Sequence, residues 1–194
     1  MLTQLSCFIK SKIDISDYEI EQILPFISLK KYKKNEIIIK EGEYFDFIGF
    51  LNLGLIRSYF QMDGKEITAR FTFENCMFTY LESLFDNKLS HKNYQALEYC
   101  EALILKKDDI SKILAINPKF ENLFKILLYD ESIIKLQILE AERTETPTNR
   151  YLTFLKENPN SHNRLPIKYI ASYLGIEPQS LSRIRGRLAS DLRK

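Results

Sequence analysis

Side chains suited to contacting nucleic acid are concentrated in one short segment near the C-terminal end of the sequence. They are Gln179, Ser180, Ser182, Arg183, Arg185 and Arg187, with Lys168 ten residues before Pro178. Gln can pair bidentately with adenine, Arg can pair bidentately with guanine, and Ser, Lys and Arg can donate hydrogen bonds to phosphate oxygens. An Arg-rich segment can equally be a solvated helix face. The residue types therefore indicate DNA contact, with a solvated surface as the alternative.

Positive charge is concentrated in the same C-terminal part of the chain. Residues 145–194 contain nine Lys and Arg and four Asp and Glu, which gives a net charge of +5. Because the whole chain has a net charge of +2, the first 144 residues have a net charge of −3. A compact basic segment joined to an acidic one is typical of a nucleic-acid-binding module attached to a second domain.

Two short amphipathic helices position these side chains in the predicted structure. The first has Ile170, Ala171 and Leu174 on its inner face, and Gly175 supplies the turn that follows it. The second begins at Pro178, whose missing backbone N–H costs nothing in the first turn of a helix. Its inner face consists of Leu181, Ile184 and Leu188. Two such helices joined by a turn that contains Gly are typical of a helix-turn-helix.

A single long helix is predicted before this segment. Asn117 and Pro118 form a helix start, and no Gly or Pro follows until Pro147, where Thr146 and Pro147 begin another helix that runs to Glu157. The long helix has a stripe of apolar residues that we predict to be a dimerisation surface: Phe120, Phe124, Leu127, Ile134 and Ile138. The alternative is a helix that packs only against its own domain.

The first half of the sequence predicts a small antiparallel barrel or sandwich. Ser16 and Glu19 have the spacing of a capping box, which predicts a short helix. Runs rich in β-branched and aromatic residues then predict strands at 36–39, 47–50, 55–60, 67–73, 94–99 and 102–105. Asp63 and Gly64 separate two of these runs and predict a hairpin turn.

Composition narrows the class of protein further. The 194 residues are 45% hydrophobic and 28% charged, as in a folded globular protein, and no apolar run is long enough to span a membrane. We expect a cytoplasmic location. Cys7, Cys76 and Cys100 lie too far apart to indicate a metal or disulfide site. The sequence contains no G-x-S-x-G, H-E-x-x-H or P-loop motif, so we expect no enzyme activity.

Four segments together resemble the Crp/Fnr family of transcription regulators. They are Ile170–Ile176 with Ser180–Arg183, Lys40–Glu43 and Asp63–Glu66. The resemblance implies an α+β chain with three parts: a cyclic-nucleotide-binding-like antiparallel β jelly roll at 1–116, a dimerisation helix at 117–144 and a helix-turn-helix domain at 145–194. It implies a homodimer that binds double-stranded DNA, contacts RNA polymerase and responds to a small-molecule effector. It also places Gln179 and Arg183 where members of the family read bases.

The sequence departs from the family at the ligand site. Members that bind cyclic AMP have a Gly-Glu pair and an Arg-Ser/Thr pair that hold the cyclic phosphate, whereas this sequence has Tyr80–Ser83 and Ser90–Asn93. Without the guanidinium fork of Arg, we expect no cyclic-nucleotide binding. The cysteines are too few for an iron–sulfur cluster, and only His91 and His162 could ligate haem, so we expect no cofactor.

A second departure lies after the second helix. Only Ala189–Lys194 follow Leu188, so we expect the β-hairpin wing to be missing. The leading hypothesis is a homodimeric DNA-binding regulator that does not respond to cyclic nucleotides. The alternative is a ligand-sensing or protein-interaction module whose helix-turn-helix is degenerate and does not bind DNA. The operator, the effector and the choice between activation and repression stay open.

Overall fold

The computed structural model describes residues 2–159 and 161–191, which form two compact units. The first comprises Met1–Phe60 and Ala69–Asp130, and the second comprises Gln61–Thr68 and Glu131–Lys194. The side chains of His162 and Asp191 are not among the described parts of the structure. The prediction about His162 as a haem ligand therefore lies outside the described residues.

The first unit is a β-roll with short helices before, between and after its strands. Its helices are α1 (Leu2–Lys12), α2 (Asp17–Glu21), α3 (Leu81–Asp86) and α4 (Lys107–Ile116), with a 3-10 turn at Leu24–Phe26. The strands are β1 (Ile27–Tyr32), β2 (Ile37–Ile39), β3 (Phe47–Leu53), β4 (Ile56–Met62), β5 (Lys65–Thr72), β6 (Cys76–Phe78), β7 (Asn93–Ala96) and β8 (Cys100–Lys106), and all of them lie in this unit except the tip of the β4–β5 hairpin. The predicted α+β class with an antiparallel β domain is confirmed.

The strands form two four-stranded sheets, ordered β1-β8-β3-β6 and β2-β7-β4-β5. In β3, Gly49 lies opposite Ile104 of β8 and Phe78 of β6. A Cβ atom at Gly49 would overlap the Phe78 ring, so this position needs glycine to admit that ring. The predicted hairpin turn is confirmed, because β4 ends at Met62 and β5 begins at Lys65.

Two hydrophobic cores hold this unit together. One includes Phe45, Phe78, Tyr80 and Tyr94, and the Phe45 and Tyr94 rings meet edge to face at 4.7 Å between centroids. The other is built from α1, α2, α4 and the first turns of the long helix on one side of the β1-β8-β3-β6 sheet. The predicted capping box is present, with reciprocal hydrogen bonds between Ser16 and Glu19. The sequence analysis did not predict α1 or α4.

The long helix α5 (Lys119–Thr144) has the predicted extent. Its Asn117 cap accepts a hydrogen bond from the Lys119 amide at 2.9 Å. Among the described residues, no helix has the length and hydropathy needed to cross a membrane.

The second unit contains the last helices and the tip of the β4–β5 hairpin. The helices are α6 (Pro147–Glu157), α7 (Ser161–Arg164), α8 (Ile167–Tyr173) and α9 (Pro178–Asp191). The predicted start of α6 is confirmed, because the Thr146 side chain accepts a hydrogen bond from the Asn149 amide.

Candidate nucleic-acid interface

Helix α9 presents one polar face and buries the other. Leu181 and Ile184 are buried, and Leu188 is half-buried. The exposed residues recur at helical spacing: Gln179, Ser182, Arg183, Gly186, Arg187, Ala189 and Ser190. Because an α-helix turns by about 100° per residue, these seven positions lie on one continuous side of α9.

The residues predicted to contact DNA lie partly on the exposed face of α9 and partly at its edges or on α8. Gln179, Ser182, Arg183 and Arg187 lie on the exposed face, and Lys168 is exposed on α8. Ser180 and Arg185 are half-buried, so they lie at the edges of the face. The structure therefore brings six of the seven predicted residues together on one helix, with those at the edges suited to the phosphates that border a groove.

The arginines of α9 form no ion pair within the described residues. The Arg183 Nε donates a hydrogen bond of 3.4 Å to the carbonyl oxygen of Gln179, one turn earlier on the same helix. On α8, the Lys168 ammonium lies 4.9 Å from the centroid of the Tyr169 ring. An exposed helix face with two arginines that form no ion pair among the described side chains, and a third arginine at its edge, is a positive surface that can take phosphates.

The turn between α8 and α9 is held by backbone geometry and by one arginine. Gly175 has a φ of +66°, a conformation that favours glycine, and the Ile176 amide donates to the Ala171 carbonyl at 3.0 Å. Arg150 of α6 donates from Nη1 to the Glu145 carbonyl and from Nη2 to the Leu174 carbonyl, each at 2.9 Å. The sequence analysis missed Arg150, because Leu174 lies 24 residues away and no local pattern connects the two.

A second support for α8 comes from the hairpin tip. Ser172 Oγ donates to the Glu66 carbonyl at 3.1 Å and accepts a hydrogen bond from the Thr68 amide at 2.9 Å. One hydroxyl thus joins α8 to the backbone of β5 within the second unit. These partners are about one hundred positions apart in the sequence, so sequence reasoning had no signal for them.

The predicted dimerisation stripe on α5 begins inside its own chain. Phe120 is only 1% exposed, and Phe124 and Leu127 pack against the core that contains α1 and α4. Ile134 and Ile138 are half-buried. The first three residues of the stripe therefore pack on their own domain, which is expected both for a helix that contacts only that domain and for a helix shared with a second subunit.

The exposed apolar residues of α5 lie on another face. Tyr129 is 66% exposed, Leu136 is 61% exposed and Leu139 is 52% exposed. At 100° per residue, these three side chains point in directions that lie within about 80° of one another and roughly opposite Ile138.

The interior of the β-roll around Tyr80 is filled by aromatic side chains. Tyr80 is 6% exposed, and its hydroxyl hydrogen-bonds to Nδ1 of His91. Burial, together with the Glu82 carboxyl nearby, raises the pKa of Tyr80 to about 12, so the phenol stays protonated. The ring therefore occupies the interior as a neutral group.

The hydroxyl groups near that position are already hydrogen-bonded within the chain. Ser83 Oγ accepts from the Phe45 amide at 3.0 Å and donates to the Lys88 carbonyl. Ser90 Oγ donates to the Lys92 carbonyl at 2.8 Å and accepts from the Lys92 amide. Neither the 80–83 nor the 90–93 segment contains an arginine, and the serine hydroxyls of both segments are hydrogen-bonded within the chain, so these two segments do not fit a cyclic phosphate.

A cavity in the core between α1 and the first turns of α5 has a volume of about 40 Å³ and an apolar lining. Pockets for small ligands are typically about 300–1,000 Å³, so this cavity is too small for a nucleotide.

Comparisons with known proteins agree with the observed fold. Residues 29–117 match the family model described as the cyclic nucleotide-binding domain. No curated protein matches the sequence. FixK2 from Bradyrhizobium japonicum is similar in structure, with a TM-score of 0.75, 19% identity and coverage of 85% of both chains.

Two further solved structures are similar over most of their length. A CooA mutant from Carboxydothermus hydrogenoformans has a TM-score of 0.70 and 17% identity, and the similarity covers 92% of this chain and 86% of that chain. The c-di-GMP responsive global regulator CLP from Xanthomonas campestris has a TM-score of 0.70 and 14% identity, with coverage of 91% and 93%. At these identities the likeness concerns the fold.

Proposed function

We propose that the protein is a homodimeric, DNA-binding transcription regulator of the Crp/Fnr type. The observation that carries the proposal is the exposed face of α9, on which Arg183 and Arg187 stand beside Gln179 with no ion pair among the described residues. The fold supports it, since one structure of the same fold is that of a global regulator of virulence gene expression.

Helix α9 enters the major groove in this proposal. Gln179 and Arg183, on the exposed face near the start of the helix, read base edges, and Ser182 is placed beside them. Arg187 contacts phosphates further along, while Ser180 and Arg185 reach the groove walls from the edges of the face. Lys168 adds a phosphate contact from α8. The proposal includes RNA polymerase as a protein partner and the cytoplasm as the location.

The dimer forms through α5. The exposure of Tyr129, Leu136 and Leu139 supports a contact surface on the side of α5 that carries them, in place of the predicted stripe. A symmetric dimer places its two α9 helices about 34 Å apart, one turn of DNA, and therefore selects a palindromic operator.

Regulation by a cyclic nucleotide is not part of the proposal. Tyr80 fills the interior, and the Ser83 and Ser90 hydroxyls are committed to backbone groups. We expect isothermal titration with cyclic AMP and cyclic GMP to give no heat of binding at micromolar concentrations. Micromolar binding of either nucleotide would contradict this reading of the roll interior.

A selection from random duplex DNA, followed by titration of the selected duplex, tests the proposed function. Arg183→Ala should cost about 1–3 kcal/mol and relax the preference at one base pair per half-site. Arg187→Ala should weaken selected and random duplexes alike, and should reduce the slope of log K against log salt by about one.

Lys156→Ala is the matched control, since it removes one exposed positive charge from α6 of the same unit. It should leave both affinities unchanged within about twofold. If the wild-type protein binds no duplex in a salt-dependent manner, the regulator proposal is wrong and the module with a degenerate helix-turn-helix is the remaining hypothesis.

A further inference from the structure

Gly186 lies at the centre of the exposed face of α9. It is the ninth of the fourteen residues of the helix. At about 100° per residue, the seven exposed positions have a mean direction close to that of Gln179, and Gly186 lies about 20° from it. The residue nearest to both the middle of the helix and the middle of its exposed face therefore has no side chain.

Nothing within the described chain requires glycine at this position. A Cβ atom built on Gly186 meets no heavy atom of the described residues within 4 Å, whereas one at Gly49 would overlap the Phe78 ring. Gly186 also lacks the positive φ that Gly175 has. Glycine within a helix is less favourable than alanine, because it loses more backbone freedom on folding. The helix therefore carries a destabilising residue that neither its conformation nor its packing explains.

The residues around Gly186 form a low strip with two long cations along one edge. Ser182 and Ser190 stand one turn before and one turn after Gly186, and the three positions span about 12 Å along the helix. Arg183 and Arg187 rise beside this strip. A strip without bulk and with flanking positive charge lets the helix backbone approach an anionic surface while the arginines contact it on one side.

We propose that Gly186 is the point of closest approach between α9 and double-stranded DNA, so that the missing side chain sets how deeply the helix enters the groove. This inference rests on the proposed function. The glycine acts as a positioning residue: it lets Gln179 and Arg183 reach the base edges. Bulk at this position would separate the whole helix from the DNA and weaken those contacts together.

Two substitutions separate this role from an effect on folding. Gly186→Ala and Gly186→Met both introduce good helix formers into an open position, so both should raise the unfolding temperature by about 2–4 °C. On the duplex selected by the wild-type protein, affinity should nevertheless fall, by several-fold for Ala and on the order of tenfold or more for Met, because the added atoms overpack a close contact.

Thr153→Met is the matched control, because it adds the same side chain at an exposed position of α6, a helix outside the proposed interface. Its affinity for the duplex should stay within about twofold of wild type. Unchanged affinity of Gly186→Met, with a raised unfolding temperature, overturns the inference while leaving the proposed function intact. Failure of the wild-type protein to bind any duplex overturns the proposed function and this inference with it.

Discussion

The guanidinium of Arg150 should contribute a few kcal/mol to the stability of the second unit. It donates to the Glu145 carbonyl and to the Leu174 carbonyl, both at 2.9 Å, and so joins the residue after α5 to the C-terminal cap of α8. A hydrogen bond from a charged donor contributes about 1.5–3 kcal/mol, so the two bonds together contribute about 3–6 kcal/mol. Arg150 Nε is buried and has no hydrogen-bond partner within the described residues, which offsets part of that gain.

We therefore expect Arg150→Met to lower the free energy of unfolding by about 2–4 kcal/mol. Methionine keeps an unbranched stem and a similar helix propensity, so the change removes the donors with little else. Arg150→Lys should cost less, about 1–2 kcal/mol, because an ammonium can still donate to one of the two carbonyls.

Urea unfolding followed by circular dichroism measures these differences. Lys156→Met is the control, because Lys156 is an exposed residue on the same helix, and its substitution should stay within about 0.5 kcal/mol of wild type. If Arg150→Met unfolds at the same urea concentration as Lys156→Met, the two carbonyl contacts do not stabilise the unit and the reasoning is refuted.

Three other predictions follow from the described contacts. Leu136→Asp should convert the dimer to a monomer, as measured by sedimentation at tens of micromolar. The control Gln137→Asp changes a residue exposed on another side of α5 and should leave the dimer intact. A wild-type protein that sediments as a monomer would refute the proposed dimer. Hydrogen bonds from Ser16 and Lys119 lower the pKa of Glu19 from 4.5 to about 2, so the stability it contributes is present above pH 4.5 and is lost as pH falls towards 2. Glu19→Gln should remove that dependence from acid titrations of unfolding, and an unchanged profile would contradict it. Ser172→Ala should cost about 1–3 kcal/mol and speed hydrogen exchange at the Thr68 amide; unchanged exchange would show that the Ser172 bond does not protect it.

Local features of this protein could be predicted from the sequence because their partners lie within four residues. The capping box at Ser16, the turn at Asp63 and Gly64 and the helix start at Thr146 all depend on such short-range hydrogen bonds or on backbone φ. The exposed face of α9 could also be predicted, since the apolar spacing of one helix separates its inner side from its outer side. The candidate interface was found for that reason.

Tertiary structure alone decided what the apolar and polar surfaces contact. An apolar stripe has the same spacing whether it packs on its own domain or on a second subunit, so the sequence could not place Phe120 in the core of the first unit. The sequence likewise could not pair Arg150 with Leu174, or Ser172 with Glu66 and Thr68. Contacts between residues this far apart depend on how the whole chain packs, and no local hydrogen-bond or hydrophobic pattern encodes them.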